Sequence, residues 1–410
     1  MSDIAIVGTG ISGLHLALTL QREGVETTLY AERTADQIRA GRLPNLVCRF
    51  EHTRARERGF GADHWPLPGF ETVCAHIALG GEQPLAFRGD LRHPASFVDF
   101  RLYLARLLED FEQRGGRVVT GPLTAPDIVG LGRRHRLVAV ASGRDSVEEL
   151  FPRDPARSPY TAPQRVLCAG LFRGIGFPSP VGLSINLSPG AGEVYQSPFW
   201  SFEGEVSGLL FSAVPGSPLE ALAHLRYEED PAGFDRMALR LLREHAPAIA
   251  ERVDPRQFHL TRPLDLLQGA ITPTVRHGWA RLDGGAFAVA VGDAWVVNDP
   301  LTGQGANLGS HCAAVLARSI VEDLAFDEQF CRGVERDMWS FAGPVTAWTN
   351  ASLQPPPPHV IDLLVAATAD KAVADAVVEN YNDPPAAWRA VATPERTAAF
   401  LARVRTPVAV

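Results

Sequence analysis

The chain has 410 residues, more than one simple core accommodates, and its 46% hydrophobic and 21% charged residues are those of an ordinary globular protein. A net charge of −8, from 39 basic against 47 acidic side chains with no basic block, argues against a nucleic-acid partner held through phosphate contacts. Five dispersed cysteines form no CxxC or Cys/His cluster, so no zinc or other metal site and no disulfide framework is expected, but reduced, buried thiols in a cytoplasmic protein.

Residues 3–7 read as a strand that runs straight into Gly8-Thr9-Gly10-Ile11-Ser12-Gly13, and Leu14, Leu16, Ala17, Leu18 and Leu20 follow at helical spacing. Glycines at the first, third and sixth positions of such a turn suit a dinucleotide. Gly8 permits the tight turn, Gly10 lets a pyrophosphate approach the backbone, and Gly13 lets the helix pack close to the strand. The helix N-terminus then turns its unpaired N–H groups toward the phosphates. A second strand over 26–30 leads to Glu32, placed to accept hydrogen bonds from a ribose diol. Because the chain opens on a strand and no apolar run reaches about 20 residues, neither a signal peptide nor a membrane span is expected.

Residues 33–60 are rich in arginine and break the helix–strand rhythm, and 41–47 read as a loop returning toward the cofactor. A hairpin is expected over 71–90 around Gly80-Gly81, an amphipathic helix over 97–114, and strands over 117–119 and 136–141, the last ending at Ser142-Gly143 behind the cofactor. From 163 to 215 short alternating strands with many glycines, prolines and aromatics predict an antiparallel sheet with one face free to cover a pocket. Residues 218–250 return to helix.

The second informative stretch follows a strand over 286–291. Gly292-Asp293 places a carboxylate where it can hold a ribitol or ribose hydroxyl. Pro300-x-x-Gly303-x-Gly305-x-Asn307 then opens a helix near Ala306, whose N–H groups would stabilise negative charge on a reduced flavin ring. Beyond 325 the chain reads as mainly helical, interrupted by Pro355 to Pro358. A second GxGxxG, a GxSxG elbow and a P-loop are missing from the sequence, so no separate nicotinamide domain is expected. His15 and His311 read as packing or surface residues, and the missing Trp-x-Trp pair counts against a flavin-dependent halogenase.

On these stretches the chain resembles the oxygenase component of the styrene/indole monooxygenases, a two-component FAD-dependent family. The resemblance is carried by VGTGISGLHLAL near the start, GDLRHPASFVDFRLYL around Asp99, PQRVLCAGLFRGI from Pro163 and LDLLQGAITPTVRHG from Leu264. It continues through VGDAWVVNDPLTGQGANLGS from Val291, AWTNASL around Trp348 and YNDPPAAW from Tyr381. It implies an α/β fold of the p-hydroxybenzoate hydroxylase type. A Rossmann-like FAD-binding domain would comprise 1–45, 95–162 and 275–325, an antiparallel β-sheet substrate domain 46–94 and 163–274, and a helical C-terminal region 326–410.

It also implies a reaction. A separate NADH-dependent flavin reductase supplies FADH2, which reacts with O2 to a flavin C4a-hydroperoxide that epoxidises or hydroxylates a small aromatic alkene or indole-type substrate. A homodimer is expected. Cofactor contacts would come from Gly8, Gly10, Gly13, Glu32, Arg42, Asp293, Pro300, Gly303, Gly305, Ala306 and Asn307, with Asn45 and Gln304 at the reacting centre. Val47, Arg49, Thr72, Ala75 and His76 would line the substrate pocket. Arg49 stands where the family has histidine, and Thr72 and Ala75 stand where it has tyrosine and histidine, which implies a larger cavity and a substrate larger than styrene. Two alternatives stay open: a single-component NAD(P)H-dependent FAD hydroxylase, and a flavin-binding protein with no oxygen chemistry.

Overall fold

A computed structural model describes residues 3–66, 68–81, 84–143 and 147–406. The strand Ile4–Val7 is buried along its whole length, as an unbroken apolar run must be in a sheet covered on both sides. It pairs in parallel with Thr27–Ala31 and Leu137–Val140. The full order of this sheet is Trp279–Arg281, Phe287–Ala290, Leu137–Val140, Ile4–Val7, Thr27–Ala31, Arg117–Thr120, with the first pair antiparallel. The helices Ile11–Arg22, Phe100–Gln113 and Gly305–Glu322 bury their apolar faces in the same core.

A second sheet runs His259–Leu260, Val166–Arg173, Gly204–Ala213, Gly192–Ser201, Leu183–Ser188, Thr72–Leu79, Leu85–Phe97, Cys48–Arg49. It is antiparallel except where Thr72–Leu79 meets Leu183–Ser188. Strand alternation separates its faces. Val194 packs among the residues of the helix Pro231–His245, while Phe199 and Tyr195 face the other way, toward Leu171 and Tyr381.

Five helices, Glu328–Ser352, Pro358–Ala369, Lys371–Glu379, Pro384–Val391 and Pro394–Arg405, complete the chain. Lys371–Glu379 lies against the strand Leu85–Phe97 at Gly89, where any Cβ would overlap the Ala374 carbonyl.

Two local readings of the sequence are corrected. The arginine-rich stretch contains a helix, Glu51–Gly59, and Arg49 and Arg54 are 0% and 6% exposed, so these guanidinium groups serve the interior rather than solvent. The expected helix over 97–114 begins at Phe100, because Asp99 caps it by accepting from the Arg101 N–H, and Phe97 stays in a strand. All five cysteines are free and buried. Among the described residues no helix is long and apolar enough to cross a membrane.

Candidate active site

The first glycine turn has three different environments. Gly8 has φ +108°, and a Cβ there would meet the Ser142 nitrogen at 2.8 Å. A Cβ at Gly13 would overlap the Gly8 carbonyl, whereas one at Gly10 would find its nearest neighbour, the Ala141 oxygen, at 3.9 Å. Helix and strand are thus pressed together at Gly13 and open at Gly10. The helix Ile11–Arg22 has no side-chain cap and no acidic residue in its first turn, which leaves N–H groups for an anion. Asp293 is exposed, and its Cβ lies 3.1 Å from the place of a Cβ at Gly143. Glu32 is exposed immediately after the strand Thr27–Ala31.

At the other end Asp299 caps the turn Pro300–Thr302, and Gly303 follows with φ +65°. A Cβ at Gly303 would sit 3.9 Å from both the Cys48 Cβ and the Phe50 ring. Asn307 fastens the two segments. Its Oδ1 accepts from the Phe50 N–H at 3.0 Å and the Thr53 hydroxyl at 2.7 Å, and its Nδ2 donates to the carbonyls of Cys48 at 2.8 Å and Gly303 at 3.0 Å. Its side chain therefore joins protein to protein and leaves only its backbone for a ligand. Gly305 opens onto free space, and Ala306 lies in the first helical turn beside it.

The residues around this turn fit a flavin. Asn45 Oδ1 and Gln304 Oε1 are buried acceptors without a protein donor, while Gln304 Nε2 donates to the Tyr381 carbonyl at 3.0 Å. Buried acceptors are nearly always matched, and the pyrimidine edge of an isoalloxazine carries an N–H between two carbonyls. The acceptors and the open helix N-terminus together offer what such an edge requires.

Arg42 is turned elsewhere. It donates to the carbonyls of Pro263 at 2.9 Å and Leu266 at 3.1 Å and lies 3.3 Å from Glu228. Beside it, the buried Arg101 bridges Asp99 at 2.5 Å and Asp265 at 2.6 Å and donates to the Gly41 carbonyl at 3.3 Å. The base of the 41–47 loop is thereby latched to the 263–266 segment.

The five expected pocket residues do not share one surface. Thr72 stands opposite Ala95, on the face of Cys48 and Phe50, with its hydroxyl buried and unpartnered. Ala75 packs with Ile77, Ile185 and Val378, so part of the space left by its small side chain is filled from the C-terminal region. His76 faces the opposite side, with Nε2 3.0 Å from the Pro180 carbonyl, and burial lowers its pKa. Val47 and Arg49 alternate with Cys48 and point toward the core containing Trp65 and Tyr103. Arg49 is fully buried against Glu57, so it is corrected from pocket residue to interior ion pair.

The apolar face that remains carries Leu43, Leu46, Phe50, Leu171, Phe199 and Tyr381. Leu46 lies over Gly208, 3.5 Å from the place of a Cβ there. Tyr195 ties the turn to this face by donating to the Leu301 carbonyl at 3.1 Å. Burial pushes Tyr381 up to about 12 and raises the Cys48 thiol, so both are neutral. Burial raises Asp299 to about 6.

Comparisons with known proteins report the family and the fold. The family described as the styrene monooxygenase A substrate binding domain matches residues 143–252. Styrene monooxygenase StyA of Pseudomonas fluorescens is 36% identical over 397 residues, 96% of each chain, and StyA of a Pseudomonas sp is 36% identical over the same length. The flavin-dependent brominase Bmp2 superposes with a TM-score of 0.71 at 13% identity over 98% of this chain and 99% of its own. PqsL of Pseudomonas aeruginosa, solved with 2-aminobenzoylacetate, gives 0.57 at 17% identity over 92% of this chain and 98% of its own. At such identities these two structures report the fold alone.

Proposed function

Since the chain belongs to the styrene monooxygenase family, with 36% identity along 96% of its length, we propose that it is the oxygenase component of a two-component system acting on an aromatic alkene or indole-type substrate. Reduced FAD, delivered by a separate NADH-dependent reductase, supplies when bound the two electrons that let one atom of O2 enter the substrate while the other leaves as water.

The chain's own residues bind, orient and exclude water. The N–H groups behind Gly10 hold the pyrophosphate, with Asp293 and Glu32 on the ribitol and ribose hydroxyls. The turn Pro300–Thr302, Gly303 and the first N–H groups of the Gly305 helix receive negative charge at the ring. Asn45 and Gln304 accept hydrogen bonds at the ring's edge. Leu43, Leu46, Phe50, Leu171 and Phe199 keep the chamber dry and hold the substrate π-bond over the reacting oxygen, which requires position rather than a strong base.

The observation that carries this reading is the Asn307 clip, which fastens residues 48–50 to the Gly303 turn, taken with the unmatched buried acceptors of Asn45, three residues before Cys48, and Gln304, directly after Gly303. The small side chain of Thr72, on the face of Cys48 and Phe50, supports a guest larger than styrene. A homodimer in the cytoplasm belongs to the same proposal.

The test is turnover with a purified flavin reductase, NADH and O2, comparing styrene, indole and larger substituted indoles. Oxygenated product that rises with substrate size to the bicyclic ring is expected. Fast styrene epoxidation with poor indole turnover would refute the size argument, and no oxygenated product from any member would overturn the oxygenase reading. Reduction of the bound flavin by NAD(P)H without a partner would favour a single-component enzyme.

A further inference from the structure

Behind the flavin-facing loop lies a buried polar chain that the reaction above does not use. Arg49, Glu57, Tyr103 and Ser310 are each 0% exposed, and His15 is 1% exposed. Tyr103 donates its hydroxyl to Glu57 Oε1 at 2.7 Å. Its oxygen lies 2.6 Å from His15 Nε2 and must therefore accept from that nitrogen. His15 Nδ1 then accepts from the Ser310 hydroxyl at 2.9 Å, and Ser310 accepts from Arg56 at 3.0 Å. With His15 neutral, every bond in the series has one consistent direction. Burial, together with the charges of Arg56 and Arg49, holds the His15 pKa well below its usual value, in agreement.

The series ends on Glu57, whose second oxygen pairs with Arg49. Arg49 also donates to the Ser96 hydroxyl at 3.1 Å and lies 4.8 Å over the Tyr103 ring. What the network joins is informative. His15 lies two residues beyond Gly13, Ser310 three beyond Asn307, and Arg49 directly after Cys48. The three elements thus meet in one network, in which the Glu57 carboxylate joins Arg49 to Tyr103 and so to His15 and Ser310. A buried ion pair is often replaceable by apolar side chains without loss of stability, so stability alone does not account for it.

Resting on the oxygenase reading, we propose that Glu57 is a positioning residue for oxygen transfer. By holding Arg49 it fixes residues 45–48 against the Gly303 turn, so that oxygen reaches the substrate instead of escaping as hydrogen peroxide. Escape is balanced, since the two electrons and two protons of reduced FAD convert O2 into one H2O2.

The test compares wild type with Glu57→Gln, Arg49→Lys and the double variant Arg49→Met/Glu57→Gln, which leaves neither partner of the pair charged. Product and H2O2 formed per reduced FAD, affinity for reduced FAD, the thermal midpoint, and amide exchange over 43–50 in flavin-free protein are measured. In Glu57→Gln and the double variant, product per flavin is expected to fall about tenfold, with H2O2 making up the difference and affinity changing less than about threefold. Exchange over 43–50 is expected to quicken, and Arg49→Lys to keep most of the coupling. A folded double variant as coupled as wild type, or unchanged exchange over 43–50, would overturn the proposal. So would coupling and affinity that fall together in step with the thermal midpoint. If wild type itself yields no oxygenated product, the oxygenase reading falls, and with it the coupling role; the exchange measurement then still reports whether Glu57 orders the loop.

Discussion

Gly10 and Gly13 stand three residues apart and are needed for different reasons. Gly13→Ala drives a methyl into a backbone carbonyl that cannot move aside, so it should cost about 2–3 kcal/mol of stability, read by denaturant unfolding. Gly10→Ala meets nothing closer than 3.9 Å. It should leave stability within about 0.5 kcal/mol of wild type and weaken FAD binding, read by fluorescence titration. Normal FAD affinity in Gly10→Ala would refute the phosphate assignment. Asn307→Ala strands the buried carbonyls of Cys48 and Gly303 and the Phe50 N–H together. It should cost about 3 kcal/mol, again by unfolding. The glycines were readable because each acts on residues a few positions away or on its own backbone. Asn307 was readable as part of the motif but not for what its side chain does, since all its partners except Gly303 lie more than 250 residues back along the chain.

Among the elements, the loop 41–47 depends on anchors it does not itself contain. Arg101 shares one nitrogen between Asp99 and Asp265, both buried. Asp265→Asn removes one charge of that triad and should destabilise the protein by about 3 kcal/mol. Because Arg101 also holds the Gly41 carbonyl, the same variant should quicken amide exchange at 41–45, and exchange confined to other segments would count against the latch. Strands and helices with an unbroken apolar pattern, such as 4–7 and 305–322, were legible from local period alone. The 33–60 stretch was not, because its buried arginines need distant partners as well as local ones: Arg49 takes Ser96 besides Glu57, Arg54 the Pro94 carbonyl, Arg56 Ser310. The pocket assignment failed at Arg49 and His76 for a related reason. A strand reverses its side chains at every residue, and sequence alone does not say which parity faces inward.

At the scale of the whole molecule, buried titratable groups set the response to acid. Burial lowers His52 to about 4 and His311 to about 3, and lowers His15 as well. The unfolded chain takes up protons at these histidines first, so their contribution to stability is lost as pH falls from about 6.5. Asp299 acts in the opposite sense. Its pKa of about 6 lies above the ordinary 3.8, so the folded state binds the extra proton and its contribution fades as pH rises across that interval. Burial lowers His76 too, and raises Glu57 and Asp235 as it does Asp299; four histidines against three carboxyls predict a thermal midpoint of flavin-free protein that drops between pH 6.5 and 4. Asp299→Asn removes one opposing contribution and should steepen that drop. A shallower drop in the variant would show that Asp299 is not held protonated. The two glycine-rich motifs allowed a single site to be inferred from opposite ends of the sequence. The contribution of Tyr381 could not be, because it depends on how the last helices fold back over the second sheet.

That closure has a consequence for biosynthesis. The glycine turn at 8–13 and the Gly303 turn are translated well before Tyr381, whose carbonyl accepts the Gln304 amide and whose ring lies 5.9 Å from Phe50. On a ribosome-bound chain both glycine turns would therefore be synthesised while the residue that covers the second of them is still to come. Reduced cofactor captured at that stage would meet water and oxygen with no guest in place, and the cell is best served if the reductase delivers only to finished chains.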